Sequence, residues 1–97
     1  MPYRLVSYNG VAVSYTDALV GGGEKYGQDY LAQVPERFGS VGRIFEWCAG
    51  PGFIGFSLLA HGLTETLCLA DVNPEAVAVC RRTVADNGLT DCVAVYH

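Results

Sequence analysis

A glycine-rich segment at 46–55, E-W-C-A-G-P-G-F-I-G, lies between two apolar runs and strongly constrains how this chain can fold. Its glycines, Gly50, Gly52 and Gly55, follow the G-x-G-x-x-G spacing. This order predicts a strand, a tight loop and a helix, with the loop presenting its backbone to a ligand. Asp71 ends the next apolar run, 21 residues after Gly50, where a carboxylate can accept hydrogen bonds from ribose hydroxyls. We therefore predict a site for a nucleoside-containing cofactor.

The rest of the chain predicts strands and helices in alternation around that segment. Asn9-Gly10, between two β-rich runs, is typical of a two-residue hairpin turn, because both residues tolerate a positive φ. Such a turn pairs Tyr8 with Val11 on a largely apolar face, which we expect to lie on the main body or on a partner, and places Ser14 on the other face. Asn73 and Pro74 are placed to begin a helix that Gly88 would end. The predicted elements are a hairpin over 3–16, a loop over 17–25 centred on the glycines at 21–23, helices over 26–38, 53–61 and 74–87, and strands over 42–48, 65–70 and 92–96.

The β-α-β-α-β order after the hairpin predicts an α/β fold with a partial doubly wound parallel sheet. We interpret residues 1–25 as an N-terminal hairpin with a glycine-rich loop, and 26–97 as the cofactor-binding half of a larger domain. The first strand of such a sheet usually has neighbours on both sides. We expect its free edge to be covered by the hairpin, by a second copy in a homo-oligomer, or by a missing C-terminal half.

Three further expectations concern the first helix and the core. Pro35 predicts a kink or a break in the first helix, and Trp47 is expected in the core. The helical period predicts one inward stripe on that first helix, formed by Tyr30, Leu31, Val34 and Phe38.

Charge and cysteine pattern exclude several classes of function. The net charge is −4 and no basic stretch exists, so we expect no unaided binding to a nucleic-acid backbone. No apolar run reaches the ~18–20 residues that cross a membrane, and the N-terminus has no secretory h-region. The four cysteines form no C-x-x-C pair and match no zinc spacing. We expect a cytoplasmic protein with no metal site and no membrane partner.

Two cofactor classes use a glycine turn of this kind. A dinucleotide needs the loop N–H groups and the helix N-terminus for its pyrophosphate, whereas S-adenosylmethionine carries no phosphate. Pro51 removes one N–H from the loop, and Glu46 would repel a pyrophosphate but attract the ammonium of a methionine head. Asp71 suits the ribose of either cofactor. The residues thus favour S-adenosylmethionine over a dinucleotide.

At this point the segment resembles motif I of class I S-adenosylmethionine-dependent methyltransferases, an acidic residue followed by x-Gly-x-Gly-x-Gly. Glu46, Gly50 and Gly52 match, and Cys48 stands where the first glycine is usual. The run L-A-D-V-N-P-E-A-V resembles the acidic loop that follows, and R-R-T-V-A-D-N-G-L resembles a helix end found in the HemK-type group. The resemblance implies cofactor contacts from ten residues: Glu46 to the methionine ammonium, Cys48, Ala49, Gly50, Pro51, Gly52 and Gly55 through the loop, Asp71 to the ribose, and Val72 and Asn73 beside the adenine.

The resemblance implies a methyltransferase that acts on a protein, nucleic-acid or small-molecule acceptor. The Asn/Asp-Pro-Pro-Tyr-type motif, which holds the acceptor in the HemK-like group, is absent, so no catalytic residue is assigned. Two alternatives stay open at this point. One is an NAD(P)-binding oxidoreductase domain, and the other is a truncated, non-catalytic methyltransferase-like module.

Overall fold

The computed structural model describes residues 3–19 and 25–97. The predicted loop centre at the glycines 21–23 lies outside these residues. The elements in chain order are strand β1 (Arg4–Tyr8), strand β2 (Val11–Tyr15), helix α1 (Lys25–Phe38), strand β3 (Val41–Trp47), helix α2 (Phe53–Ala60), strand β4 (Thr64–Ala70), helix α3 (Pro74–Asp86) and strand β5 (Val93–Tyr96). The α/β prediction is confirmed, and each predicted helix and strand is present within a few residues of its expected bounds.

Strands β3, β4 and β5 form a parallel sheet in that order. The crossover from β3 to β4 and the crossover from β4 to β5 run in the same direction across the sheet. Right-handed connections therefore place α2 and α3 on the same face. That face carries the buried side chains of Leu67, Leu69 and Val93, which join the core beneath the helices. The opposite face has no helix over it among the described residues. The sheet therefore has one covered face and one exposed face.

Helix α2 is the centre of the core. Its sequence F-I-G-F-S-L-L-A has no charged residue, which is typical of a helix that is covered on more than one side. Phe56 is fully buried. On the hairpin side, the ring of Phe53 meets Tyr15 edge to face at a centroid distance of 5.4 Å. Burial of one such aromatic side chain contributes about 1.5–3 kcal/mol, so α2 joins the sheet and the hairpin into one core.

The hairpin has the predicted turn and register. Asn9 and Gly10 both have positive φ, 46° and 94°, and Tyr8 pairs with Val11. The prediction of which hairpin face is buried is only partly right, because Ser14, expected on the outer face, is fully buried. The reason is that α3 covers the outer edge of β2. The alternation of residues within the hairpin does not predict where that helix lies.

Two side chains, Thr83 in α3 and Asn87 at its C-cap, form hydrogen bonds with the edge of β2. The side chain of Asn87 accepts from the N–H of Ala12 and donates to its carbonyl, both at 2.9 Å. Thr83 Oγ1 accepts from the N–H of Ser14 at 2.9 Å. A strand edge that would otherwise offer unpaired groups to other chains is thereby satisfied within the molecule.

Helix α1 differs from its prediction in two ways. It continues through Pro35 without a break. Its C-terminal end agrees with the prediction, because the helix ends at Phe38 and is followed by Gly39, whose φ of +65° fits a C-terminal stop. The expected inward stripe is only partly buried. Leu31 and Val34 are half-buried, whereas Tyr30 and Phe38 are 45% and 70% exposed. The buried residue of α1 is instead Gly27. A Cβ there would lie 2.8 Å from the Tyr8 ring, so this glycine permits the close approach of α1 to the hairpin.

The expectation that Trp47 belongs to the core is wrong. Its side chain is 78% exposed because it points to the face of the sheet that has no helix. The register places Phe45 beside Cys68 and Trp47 beside Ala70 on that face. No helix among the described residues is long and apolar enough to cross a membrane.

Candidate cofactor site

The site lies where β3 and β4 end, and it joins the glycine loop to the acidic loop. The N–H of Gly50 donates to Oδ2 of Asp71 at 2.9 Å, and the N–H of Asn73 donates to Oδ1 of the same carboxylate at 2.9 Å. In addition, Ala49 donates its N–H to the carbonyl of Ala70 at 3.1 Å. The two loops predicted to share one ligand are therefore in direct contact, with Asp71 between them.

Glu46 caps the N-terminus of α2. Its Oε1 accepts from the N–H of Gly55 at 2.9 Å, which is one of the N–H groups that a helix leaves free in its first turn. The carboxyl is partly buried, and desolvation raises its pKa to about 7, against the lowering effect of the Gly55 bond. Near neutral pH this carboxyl is consequently divided between its neutral and charged forms, and a cation beside it would favour the charged form.

The three glycines of the motif have different structural roles. A Cβ on Gly52 would lie 2.7 Å from the ring of Phe56, and one on Gly55 would lie 2.7 Å from Leu67 and 2.8 Å from Glu46 Oε1. These two glycines are required by packing. Gly50 has a φ of +56°, and a Cβ there would meet nothing within 4 Å. Of the three, Gly50 alone faces open space where a ligand can approach.

The other loop residues differ in how accessible they are. Cys48 is exposed and has a φ of 49°, a conformation that a non-glycine residue adopts at a cost. This strain explains why a glycine suits the position. Pro51 is fully buried and Ala49 nearly so, so both support the loop from the core side. The backbone of these residues, more than their side chains, is what the loop offers to a ligand.

The acidic loop presents one apolar side chain to solvent. Val72 is 87% exposed, and its carbonyl lies 3.0 Å from Nε2 of His97. Asn73 caps α3 as predicted, because its Oδ1 accepts from the N–H of Glu75 at 2.9 Å. The exposed Val72 thus stands at the position where the resemblance implies contact with an adenine ring.

Cys80 supports the loop in a way that the sequence analysis missed. The helical period predicts only that this residue lies on the inner stripe of α3. In the structure its thiol donates to the carbonyl of Gly50 at 3.0 Å. Burial, with smaller contributions from the charges of Glu46 and Asp71, raises the pKa of the thiol to about 12. The thiol therefore keeps its proton and remains a donor to the loop.

A cavity of about 660 Å³ opens beside the site, between α1 and β3. The residues that line it include Glu46, the loop from Cys48 to Pro51, and Tyr26 of α1. Tyr26 is 46% exposed. No group of three or more potential metal-ligating side chains is found within 3–19 and 25–97. The described site thus offers two carboxylates, open backbone and apolar surface.

Comparisons with known proteins find similarity to solved structures. No family model matches the chain, and no curated protein matches it. The chain is similar to a solved structure described as the crystal structure of M. jannaschii tRNA m1G37 methyltransferase, with a TM-score of 0.54 and 16% sequence identity. The similarity covers 98% of this chain and 28% of that chain. At this identity it supports the partial Rossmann-like α/β fold, and this chain spans less than a third of that protein's length.

Proposed function

We propose that this chain is the cofactor-binding part of an S-adenosylmethionine-dependent methyltransferase. The observation that carries the proposal is the hydrogen bond from the Gly55 N–H to Glu46 Oε1. A helix N-terminus attracts anions, and dinucleotide-binding folds use it for a pyrophosphate. Here a carboxylate of the chain already occupies that position. A phosphate would meet its negative charge, whereas an ammonium would be attracted to it.

The remaining residues fit the other parts of this cofactor. Asp71 uses one bond on each oxygen for the loops, and a carboxylate oxygen has a second lone pair for a ribose hydroxyl. Gly50 leaves open space at the loop, and Val72 offers exposed apolar surface for a flat base. When bound, the cofactor would supply an electrophilic methyl group. The chain's own residues would hold its charged head at Glu46 and its ribose at Asp71.

The similar structure is that of a tRNA m1G37 methyltransferase, and its reaction class agrees with the proposal. We assign no acceptor from it, so a protein, a nucleic acid and a small molecule remain the candidate acceptors, and no catalytic residue is assigned. The four cysteines are unpaired, which supports our proposal of a reducing, cytoplasmic location.

Calorimetric titration with three ligands tests the proposal. S-adenosylhomocysteine contains the amino-acid head, methylthioadenosine lacks it, and NADH carries the pyrophosphate. We expect saturable binding of the first two and none of NADH. The variant Glu46→Gln keeps an oxygen for Gly55 but removes the charge, so it should weaken S-adenosylhomocysteine and leave methylthioadenosine unchanged. Binding of NADH alone, or equal losses for both adenosine ligands, would contradict the proposal.

A further inference from the structure

Gly50 lies in the glycine loop, and both of its backbone polar groups are bonded within the protein. Its N–H donates to Oδ2 of Asp71 at 2.9 Å, and its carbonyl accepts from the thiol of Cys80 at 3.0 Å. Asp71 follows β4 and Cys80 lies in α3, so two segments distant in sequence hold this one residue. Gly50 therefore presents its Cα to the cavity, where an added Cβ would meet nothing within 4 Å.

The direction of the Gly50 carbonyl is not fixed by the local backbone. A glycine has no Cβ, and a φ of +56° is one of several conformations open to it. The next residue is rigid, because the ring of Pro51 fixes its own φ and the side chain is fully buried. Rotation about the Cα–C bond of Gly50 is therefore the movement by which the loop can change shape, and this rotation turns the carbonyl.

Cys80 is placed to hold that carbonyl. Its side chain is buried on the inner face of α3, and its single S–H proton is directed at the Gly50 oxygen. The thiol keeps this proton near neutral pH, because burial raises its pKa to about 12. A thiol is a weak donor, but here both partners are already held close together, by α3 on one side and by the Asp71 bond on the other.

The thiol acts on a ligand through Gly50. The residues that line the cavity include Gly50 and not Cys80, so Cys80 does not touch a molecule bound there. Within residues 3–19 and 25–97, no other group donates to the Gly50 carbonyl. Without the thiol this carbonyl would turn to find another partner, and the loop would populate several conformations. A ligand that fits one of them then binds more weakly, in proportion to the fraction of molecules that hold it.

We propose that Cys80 is a positioning residue of the cofactor site. Its thiol holds the Gly50 carbonyl toward the core, so that the loop keeps the conformation in which Gly50 turns its Cα to the ligand. This inference rests on the proposed function and names the side chain that prepares the loop for the cofactor. A loop that is ordered before the ligand arrives avoids the free-energy cost of ordering it on binding.

Isotope labelling isolates the carbonyl in question. Gly50-Pro51 is the only Gly-Pro pair in the sequence, so glycine labelled with carbon-13 at the carbonyl and proline labelled with nitrogen-15 give a single coupled signal in NMR spectra. An accepted hydrogen bond moves a carbonyl carbon signal downfield. We expect this signal to move upfield in Cys80→Ala, which has no donor, and to stay near its native position in Cys80→Ser, which has a hydroxyl donor.

Val84→Ala is the matched control. Val84 is buried one turn further along the same face of α3, so its truncation removes core volume and lowers stability without removing a hydrogen bond. We expect the Gly50 carbonyl signal to be unchanged in this variant. The comparison separates the effect of the thiol proton from the general effect of a smaller side chain in α3.

Calorimetric titration with S-adenosylhomocysteine measures the effect on binding. Cys80→Ala should bind roughly three- to ten-fold more weakly than the native chain, because one acceptor of the loop is left unpaired. Cys80→Ser should bind within about two-fold of the native chain, and Val84→Ala should bind equally well. If Cys80→Ala does not fold, Cys80→Val takes its place in both measurements, since valine fills the space of the thiol without a donor.

The outcomes separate this inference from the proposed function. An unchanged carbonyl signal in Cys80→Ala, or a serine variant that loses as much affinity as the alanine variant, would overturn the role of Cys80 while the native chain still binds the ligand. A native chain that binds no S-adenosylhomocysteine would overturn the proposed function, and this role with it.

Discussion

The N–H of Gly50 donates to Oδ2 of Asp71 at 2.9 Å, across 21 residues of sequence. The same carboxylate accepts from Asn73, so a single side chain fixes the relative position of both loops. Asp71 was predicted from its spacing as a ribose ligand. The structure adds a role that precedes any ligand, because these bonds order the loops that would form the site.

Replacement of Asp71 by alanine should therefore lower both stability and affinity. Hydrogen bonds to a charged group contribute about 1.5–3 kcal/mol when buried. Since Asp71 is only partly buried, we expect a loss of roughly 1–3 kcal/mol in the free energy of unfolding, measured in urea. Asp86→Ala, which removes an exposed ion pair with Arg82, is the control and should change it by less than about 0.5 kcal/mol. If the two substitutions lower the free energy of unfolding equally, Asp71 does not have this structural role.

The raised pKa of Glu46 predicts how stability depends on pH. The folded pKa is about 7 and the ordinary value is 4.5, so the folded state binds the proton more tightly than the unfolded state. The protonated Glu46 carboxyl therefore stabilises the folded state fully below about pH 4.5, and this stabilisation is lost as the pH rises through 7. Glu46→Gln should match the native chain at pH 4.5 and exceed it at pH 8, by on the order of 3 kcal/mol. Urea unfolding at both pH values measures this difference in the free energy of unfolding. If the variant and the native chain differ by the same amount at both pH values, the pKa of Glu46 is not raised in the folded state.

The same carboxyl predicts proton release on cofactor binding. An ammonium beside Glu46 favours its charged form, so affinity for S-adenosylhomocysteine should fall as the pH drops below 7. Calorimetry at pH 6.5 in two buffers of different ionisation enthalpy measures the protons released. We expect a release that disappears in Glu46→Gln. A release of the same size in that variant would mean that another group titrates.

Cys48→Gly should stabilise the protein. The residue has a φ of 49°, which costs a non-glycine residue about 1–2 kcal/mol, partly offset by the greater freedom of glycine in the unfolded chain. We expect a net gain of up to about 1 kcal/mol. Cys48→Ala keeps the strained conformation without the thiol and should show no gain. If alanine stabilises as much as glycine, the thiol and not the backbone is responsible.

Gly50 and Gly52 form a matched pair of positions. Both have positive φ, but only Gly52 has a packed ring 2.7 Å from the position of an added Cβ. Gly52→Ala should cost well over 2 kcal/mol, whereas Gly50→Ala should cost about 1 kcal/mol and weaken ligand binding. Thermal unfolding followed by circular dichroism separates them. Gly52 is therefore a poor position for a test of binding alone, because its substitution disturbs the core.

Asn87→Ala should loosen the hairpin. It leaves the N–H and carbonyl of Ala12 without their side-chain partner, which costs about 1–3 kcal/mol when such groups are partly buried. Asn87→Asp retains the acceptor for the Ala12 N–H and should lose less. Limited proteolysis between the strands of the hairpin measures the effect directly. Resistance equal to that of the native chain would show that the apolar contacts of Val13 hold the hairpin on their own.

The sequence predicted the local backbone structure well. The glycine loop, the cap at Asn73 and the hairpin turn at Asn9 are set by residues close together in the chain, and local chemistry is sufficient to predict them. The burial of Trp47, and of Tyr30 and Phe38 in the α1 stripe, was predicted wrongly for a common reason. Periodicity tells which side chains share a face, but it does not tell whether another element covers that face.

The contacts that join distant segments had no local signal. The sequence around Asn87 indicates only that this residue caps the end of a helix. Nothing near it in the chain indicates a hydrogen bond to Ala12. Cys80 was predicted as a core residue from its period, and its bond to the Gly50 carbonyl depends on how α3 lies against the loop. Such roles follow from tertiary geometry, and they became evident only when the elements were assembled.

The bond between Ala12 and Asn87 also has a consequence for synthesis on the ribosome. The two residues are 75 positions apart, and translation adds about 5–20 residues per second, so the hairpin waits roughly 4–15 s for its partner. An isolated hairpin is marginally stable in water. During that interval α1 and α2 can already pack on the hairpin, as they do in the folded protein, but the edge of β2 has no partner and is open to chaperones or to neighbouring nascent chains. The hairpin thus reaches its final place only after α3 has been made.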